Sequence, residues 1–475
     1  MTDSRETQTG GRPASTGVIP GSYALSVGKP DKPAPRGWTW TALCDVARLE
    51  SGHTPSRRHP EYWGGDVPWI GIKDATANHG RMIADTYQHT NELGIANSSA
   101  RILPANTVCL SRTASVGYVV VMGKPMATSQ DFVNWVCSDA IDFNFLRYVL
   151  VSEHDAFLRF ASGTTHQTIY FPEVKAFHVC LPPKDEQRAI AHILGRLDDK
   201  IEINRRMNET LEAMARSLFK SWFVDFDPVR AKAEGRSSGL PKQFADLFPD
   251  TFKTTELGES PKGWRVTSIG ELCRRVAMGP FGSDIKTDNF VETGVPVVRG
   301  SNLTDGFVEN EFVFLSEQKA DELKNANAFP GDIVITHRGT LGQVGLIPEK
   351  SRFPRYVVSQ SQMLLAVDGA VSTPRYIFDF LQSPIGQHAL LANTSQTGVP
   401  AIARPTTSVK AIRLVAPPIE VLTAFDQLVS PIYSRRDRSI EEGRTLTALR
   451  DALLPKLISG NLRVENVDRF LRGRT

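Results

Sequence analysis

The chain has 475 residues, 41% apolar and 23% charged, with 55 basic against 52 acidic residues and a formal net charge of +3. That length predicts two or three domains with ample buried cores, and that balance excludes a bulk polycation. No run approaches eighteen apolar residues and no apolar signal core opens the chain, so a cytoplasmic protein without a membrane is expected.

Residues 1–36 are rich in Ser, Thr, Gly and Pro with almost no aromatic anchor, which predicts a disordered tail. Residues 37–182 read as a first α+β globule. An apolar strand is expected in GDVPWIGIKDAT. Two β-rich runs flank a small polar turn at Arg112 in LPANTVCLSRTASVGYVVVMGK. A helix is expected near Phe143–Phe160, then the polar loop SGTTHQT and a last strand, AFHVCLPP. The cysteines Cys44, Cys109, Cys137, Cys180 and Cys273 form no Cys-x-x-Cys pair, so reduced thiols are expected and zinc is not.

Residues 183–227 read as one long helix. Pro183 suits a first turn, and Asp185 and Glu186 suit the positive end of the helix dipole. Ile190, Leu194, Leu197 and Ile201, then Leu211, Ala215, Leu218 and Trp222, recur in steps of four and three. That is a coiled-coil seam rather than the wider stripe of a helix lying on a core. Asn204 and Asn208 break it at the middle. Forty residues at about 1.5 Å each give a rod of roughly 60 Å. Residues 228–262 are polar and breaker-rich, as in a connector.

The remainder repeats the beginning. Residues 263–416 restate the globule: Trp264 answers Trp38, Arg338 answers Arg112, and Ser359-Gln360 answers Ser129-Gln130. Residues 417–475 restate the helix and end in a tail. Setting Leu446 over Leu211 (446 − 211 = 235) places Phe425 on Ile190, Leu428 on Ile193, Ile432 on Leu197 and Leu453 on Leu218. Pro431 is the one expected kink.

The predicted architecture is therefore two similar mixed α/β recognition domains. Two long helices join them as an antiparallel coiled coil with pseudo-twofold symmetry. Two related heads at a fixed separation suit an extended object carrying two marks. DNA is the natural candidate, since half-sites recur at about 34 Å or its multiples. Yet residues 37–182 hold 11 basic against 13 acidic residues, and residues 263–416 hold 15 against 14. Phosphate contact must then come from a focused face or from a partner.

Candidates for that face are Lys73, Arg112 and Lys124 in the first head, with Thr113 and Ser115 in the Arg112 turn. In the second head they are Arg299, Arg338, Lys350, Arg352 and Arg355, with Asn302, His337 and Thr340 beside them. Base reading needs donors and acceptors together, which Thr164, Thr165, His166 and Gln167 supply, as do Ser395 and Gln396.

The duplicated architecture, the helix opening PPKDEQRAIAHILGRLDDKIEINRRMNETLEAMARSLFKSWFVDFDPV and the text LFPDTFKTTELGESPKGW together resemble the specificity subunits of Type I restriction-modification systems. The resemblance covers Gly37 to about Val464. It implies two target-recognition domains reading a bipartite double-stranded DNA target, a helical spacer, two docked methyltransferase subunits and translocating restriction subunits. S-adenosylmethionine, ATP and magnesium would then sit on those partners and no cofactor on this chain. Pro431 and the arginines around Arg436 make the second helix less regular than the first.

Catalytic signatures fail on inspection. Gly117 to Lys124 has five residues between its glycines and Pro125 where a phosphate loop needs Ser or Thr. Gly339, Gly342 and Gly345 miss the dinucleotide spacing. The Pro-Pro pairs lack the context of an amino-methyltransferase loop. Glu153-His154-Asp155 reads as surface rather than a metal site. A non-catalytic chain is expected. The rivals are the specificity subunit of a system cleaving on both sides of its site, an enzyme with an unrecognised active site, and a protein-binding scaffold.

Overall fold

The computed structural model describes residues 17–162, 167–280, 284–304, 306–395 and 398–464. The chain divides into two compact units, residues 1–205 with 441–475 and residues 206–440. Both divisions fall inside long helices, Lys184–Phe223 and Ile419–Ile458, so each unit owns one half of each helix.

In the first unit a five-stranded sheet runs in the order Ala47–Ser51, Phe132–Cys137, Val108–Ser111, Val119–Met122, Arg81–Ile83. The strands Val119–Met122 and Val108–Ser111 are buried throughout, as a strand covered on both faces requires. A three-stranded sheet sets Trp63–Ile70 between Ala127–Thr128 and Gln88–Thr90. A four-stranded sheet orders Ile19–Pro20, Leu25–Val27, Phe177–Leu181 and Thr39–Ala42.

That last sheet corrects the expected tail. Leu25–Val27 pairs with Phe177–Val179, and Ala24, Leu25 and Val27 lie in the core, so residues 17–36 belong to the fold. Glu153 holds them. Its buried carboxylate accepts backbone N–H bonds from Tyr23 at 2.6 Å, Ala24 at 2.9 Å and Leu25 at 3.3 Å. Burial pushes this carboxyl up, and the backbone donors partly offset that. The sequence reading of Glu153 as surface was wrong.

The second unit repeats the plan on Cys273–Met278, Gln362–Val367, Ile333–Thr336 and Val344–Leu346. In each unit a parallel strand pair stands beside that sheet, Trp69–Ile70 with Ala127–Thr128 and Val297–Val298 with Val357–Val358. Residues 228–262 are not a free connector. They form the helix Asp227–Ala233 and a hairpin of Phe252–Thr255 with Gly258–Pro261. Phe248 is buried against Trp222, 5.0 Å between ring centres.

The long helices pair antiparallel within each unit. In the first, Glu186 meets Arg463, Asp198 meets Arg450 and Asn204 meets Glu442, at 2.7, 3.1 and 3.1 Å. In the second, Arg436 meets Glu212 at 3.7 Å. Burial is uneven along the seam. Ile190 and Leu194 are fully buried in the first core with Leu457 and Ile458, while Trp222 and Phe425 are buried in the second. Leu197, Ile201, Leu211 and Leu446 are only half-buried, and Leu218, Leu428, Ile432 and Leu453 are partly buried against the cores. The seam's ends therefore lie on globular cores, and its middle is polar. The second helix runs through Pro431. That proline is exposed, and so is Gln427, whose carbonyl it cannot serve.

Candidate nucleic-acid interface

In the first unit four loops meet at one end of the main sheet. The turn after Ser111 is joined to the segment at Thr168 and Ile169, because Ile169 N donates to the Arg112 carbonyl at 2.9 Å. Arg112 N donates to the Asp131 carbonyl at 2.7 Å, which ties in the Ser129–Asp131 loop. The segment after Ser51 completes the set, with His53 N donating to the Thr128 carbonyl at 2.9 Å. A Cβ on Gly52 would lie 1.9 Å from the Ser129 carbonyl oxygen, so only glycine permits that approach.

The second unit builds the same constellation. Ile402 N donates to the His337 carbonyl at 2.9 Å, His337 N donates to the Ser361 carbonyl at 2.9 Å, and Gly279 stands 1.9 Å (ideal Cβ) from the Ser359 carbonyl oxygen. The turns are propped alike. His154 Nδ1 donates to the Gly117 carbonyl at 2.9 Å, the tautomer fixed because a carbonyl only accepts. Gln387 Nε2 donates to the Gly342 carbonyl at 3.0 Å.

This superposition corrects one correspondence. Ser111 pairs with Phe132 and Thr336 with Gln362, so Arg112 is matched by His337 and not by Arg338. Their side chains agree: Arg112 Nη2 donates to the Gln130 carbonyl at 3.1 Å, and His337 Nε2 to the Gln360 carbonyl at 3.1 Å. Arg338 therefore stands at the position of Thr113.

The other expected residues divide by what already holds them. Arg112 is half-buried over the Phe171 ring at 4.8 Å, and burial lowers its pKa against the opposing pull of Asp131. Thr113 donates to Asp131 at 2.6 Å, and the Ser115 carbonyl accepts from Ser111 Oγ. Asn302 is buried, donating to the Val308 and Asn310 carbonyls at 3.2 and 2.8 Å; it shapes a loop and is not presented to a ligand. Arg299 donates to the Glu311 carbonyl at 2.7 Å and Arg352 to the Glu309 carbonyl at 3.4 Å. Arg355 is paired with Glu317 and Asp321, so its charge is neutralised internally. His337 is buried, with its pKa lowered by that burial.

Lys124 pairs with Asp85 at 3.3 Å and Lys73 lies 4.1 Å over Tyr87. Arg338, Thr340, Lys350 and Gln167 are exposed, and the Arg338 side chain has no hydrogen bond or ion pair among the described residues. Ser395 is exposed in a strand paired with Ala401–Ile402. Thr164, Thr165, His166 and Gln396 lie outside the described residues.

Two features escaped the sequence reading. Gln130 and Gln360 are exposed at the centre of the loop cluster, and the repeated Ser-Gln pair was the available signal. Arg57 stacks on Trp63 at the edge of the same cluster in the first unit, with Ser-Arg-Arg-His beside a tryptophan strand as its signal. No group of three or more metal-binding side chains occurs among the described residues.

A family described as the Type I restriction modification DNA specificity domain matches residues 35–213. The MjaIX specificity subunit of Methanocaldococcus jannaschii, a Type I restriction enzyme component, is 26% identical over 91% of this chain and 95% of its own length. Over residues 35–213 the chain matches this DNA specificity domain, and over most of its length it is similar to Type I specificity subunits. The HindI specificity subunit of Haemophilus influenzae is 27% identical over 63% of this chain and 72% of its own length. In fold, the S subunit of a Type I system from M. genitalium superposes with a TM-score of 0.59 at 16% identity, covering 88% of this chain and 96% of that one. The chain thus matches a DNA specificity domain over residues 35–213 and shares its fold with a solved S subunit. No described helix is long and apolar enough to cross a membrane.

Proposed function

We propose that this chain directs a restriction-modification complex to a bipartite DNA target, each unit reading one half through its four-loop cluster. The observation that carries this reading is the reuse of one loop scaffold with different side chains: Arg112 against His337, Thr113 against Arg338. A fixed frame with exchanged contact groups is what two readers of different half-sites need. The long helices set the half-site gap and dock two methyltransferase subunits, with restriction subunits joining those. Exposed apolar side chains on the helices suit docking, Ile203 and Leu449 in the first unit and Met214 in the second. The chain itself performs no catalysis, works in the cytoplasm, and leaves S-adenosylmethionine, ATP and magnesium to its partners.

The test is a head exchange followed by mapping of methylated adenines. Because Leu25–Val27 pairs with Phe177–Val179, the graft should span residues 17–182 rather than begin at Gly37. One half-site should change and the other persist. Methylation of both original half-sites by a folded, assembled chimera would defeat the reading.

A further inference from the structure

We propose that Arg57 is a preset DNA contact of the first unit, a specificity element that the second unit lacks. The inference rests on the function proposed above and names a further residue of that site.

Three observations converge on it. The Arg57 guanidinium lies 4.1 Å from the Trp63 ring centre and 5.2 Å from that of Trp69, whose rings meet edge-to-face at 5.1 Å. Its Nη2 donates to Gln88 Oε1 at 2.8 Å. The loop beneath is pinned by the same two indoles, since Trp69 Nε1 donates to the His53 carbonyl at 3.1 Å and Trp63 Nε1 to the Ser56 carbonyl at 3.4 Å. Arg57 is exposed yet orientationally fixed.

Its partners among the described residues are all neutral. A guanidinium has five N–H donors, and only one is engaged by a described residue. Arg355, by contrast, is matched by two carboxylates, and Arg48 and Arg101 both reach Glu50. A cation held rigid by aromatic faces without a counter-charge keeps its full attraction for an acceptor pair and loses little side-chain entropy on meeting one. That pair is the O6 and N7 edge of guanine or two phosphate oxygens.

Arg57 is continuous with the loop cluster. Thr54, three residues earlier, hydrogen-bonds the Gln130 side chain, and the Gln130 carbonyl accepts from Arg112. Lys73 over Tyr87, next in sequence to Gln88, extends the same rim. The second unit has Val297 where the parallel strand pair of the first has Trp69, so that indole of the seat has no counterpart there.

The experiment uses the assembled methyltransferase complex with its mapped duplex, single-base variants of that duplex and two salt concentrations. Wild-type preference for the mapped duplex over an unrelated one tests the function itself, so that failure is distinct from failure of the Arg57 assignment. Arg57→Ala should lower affinity about 5- to 150-fold at unchanged melting temperature. If Arg57 reads guanine, Arg57→Lys should be as weak as Arg57→Ala, with discrimination lost at one base pair of one half-site. If it holds phosphate, Arg57→Lys should recover most affinity, and Arg57→Ala should reduce the salt slope by about 1 on every sequence. Gln88→Ala, which frees the guanidinium but keeps its charge, should weaken binding less than Arg57→Ala. Unaltered affinity, salt slope and base preference in folded Arg57→Ala complexes would overturn the assignment.

Discussion

Tyr148 donates its phenolic hydrogen to Asp198 at 2.6 Å, and the second unit makes the same bond with the partners exchanged. There Tyr433, on the long helix, donates to Asp379, on the head helix, at 2.9 Å. Tyr433 stands over Asp198 at the offset that aligns Leu446 with Leu211. Asp379 stands over Tyr148 when the helix N-caps Asp142 and Thr373 are superposed. In both units the bond fastens the head to the long helix, and an arginine stacks on the tyrosine: Arg147 at 4.2 Å from Tyr148, Arg375 at 3.6 Å from Tyr433.

Removing the phenol should therefore loosen the head from its helix. Tyr148→Phe is expected to cost about 1.5–3 kcal/mol, the range for a hydrogen bond to a charged group. In a double-mutant cycle with Asp198→Asn the two losses should not add, because they break one interaction. Additive losses in denaturant melts would mean that the two residues act separately.

The charge complement of the two fastenings differs, and so should their pH response. Asp198 faces Arg147 and Arg450. Asp379 faces Arg375, Tyr433, Asp426 and Arg436, and Asp426 faces Thr373 and Arg375. Burial above all holds Asp379 and Asp426 up at about 6 each. The folded value lies above the unfolded one, so the folded unit keeps protons that the unfolded chain releases. The resulting stability is complete below about pH 4 and is lost as pH rises through about 6. Thermal melts between pH 4 and 8 should show that loss, and Asp379→Asn should flatten it. An identical pH profile in the variant would refute the assignment to this pair.

Positions along the long helices should rank by burial. Leu194→Ala, fully buried, is expected to cost about 2–5 kcal/mol, and half-buried Leu211→Ala clearly less. Leu211 looked equivalent to Leu194 in the heptad pattern. Equal melting temperatures for the two variants would restore the uniform seam.

The turn arginines should also part company. Arg112→Ala removes a donor to the Gln130 carbonyl and should cost about 1–3 kcal/mol of stability besides any binding. Arg338→Ala, whose exposed side chain has no hydrogen bond or ion pair among the described residues, should leave stability within about 0.5 kcal/mol of wild type while weakening DNA binding. Binding unchanged in Arg338→Ala at low and high salt would remove it from the interface.

What is local or repeated is legible in the order of the residues. The duplication, both long helices, the buried strands around Val108–Met122 and the polar turns at Arg112 and Arg338 all follow from period, breakers and self-similarity. Those features depend on neighbours a few residues apart. Tertiary structure alone decided what depends on distant partners. Residues 19–27 look like tail until Phe177–Leu181 offers them an edge and Glu153 meets their N–H groups. Arg355 looks free until Asp321 lies beside it. Arg112 matches Arg338 by letter but His337 by strand register, because pairing with Phe132 and Gln362 fixes which face each residue occupies. A side chain's availability is set by what folding places against it, and the linear order of residues carries no record of that.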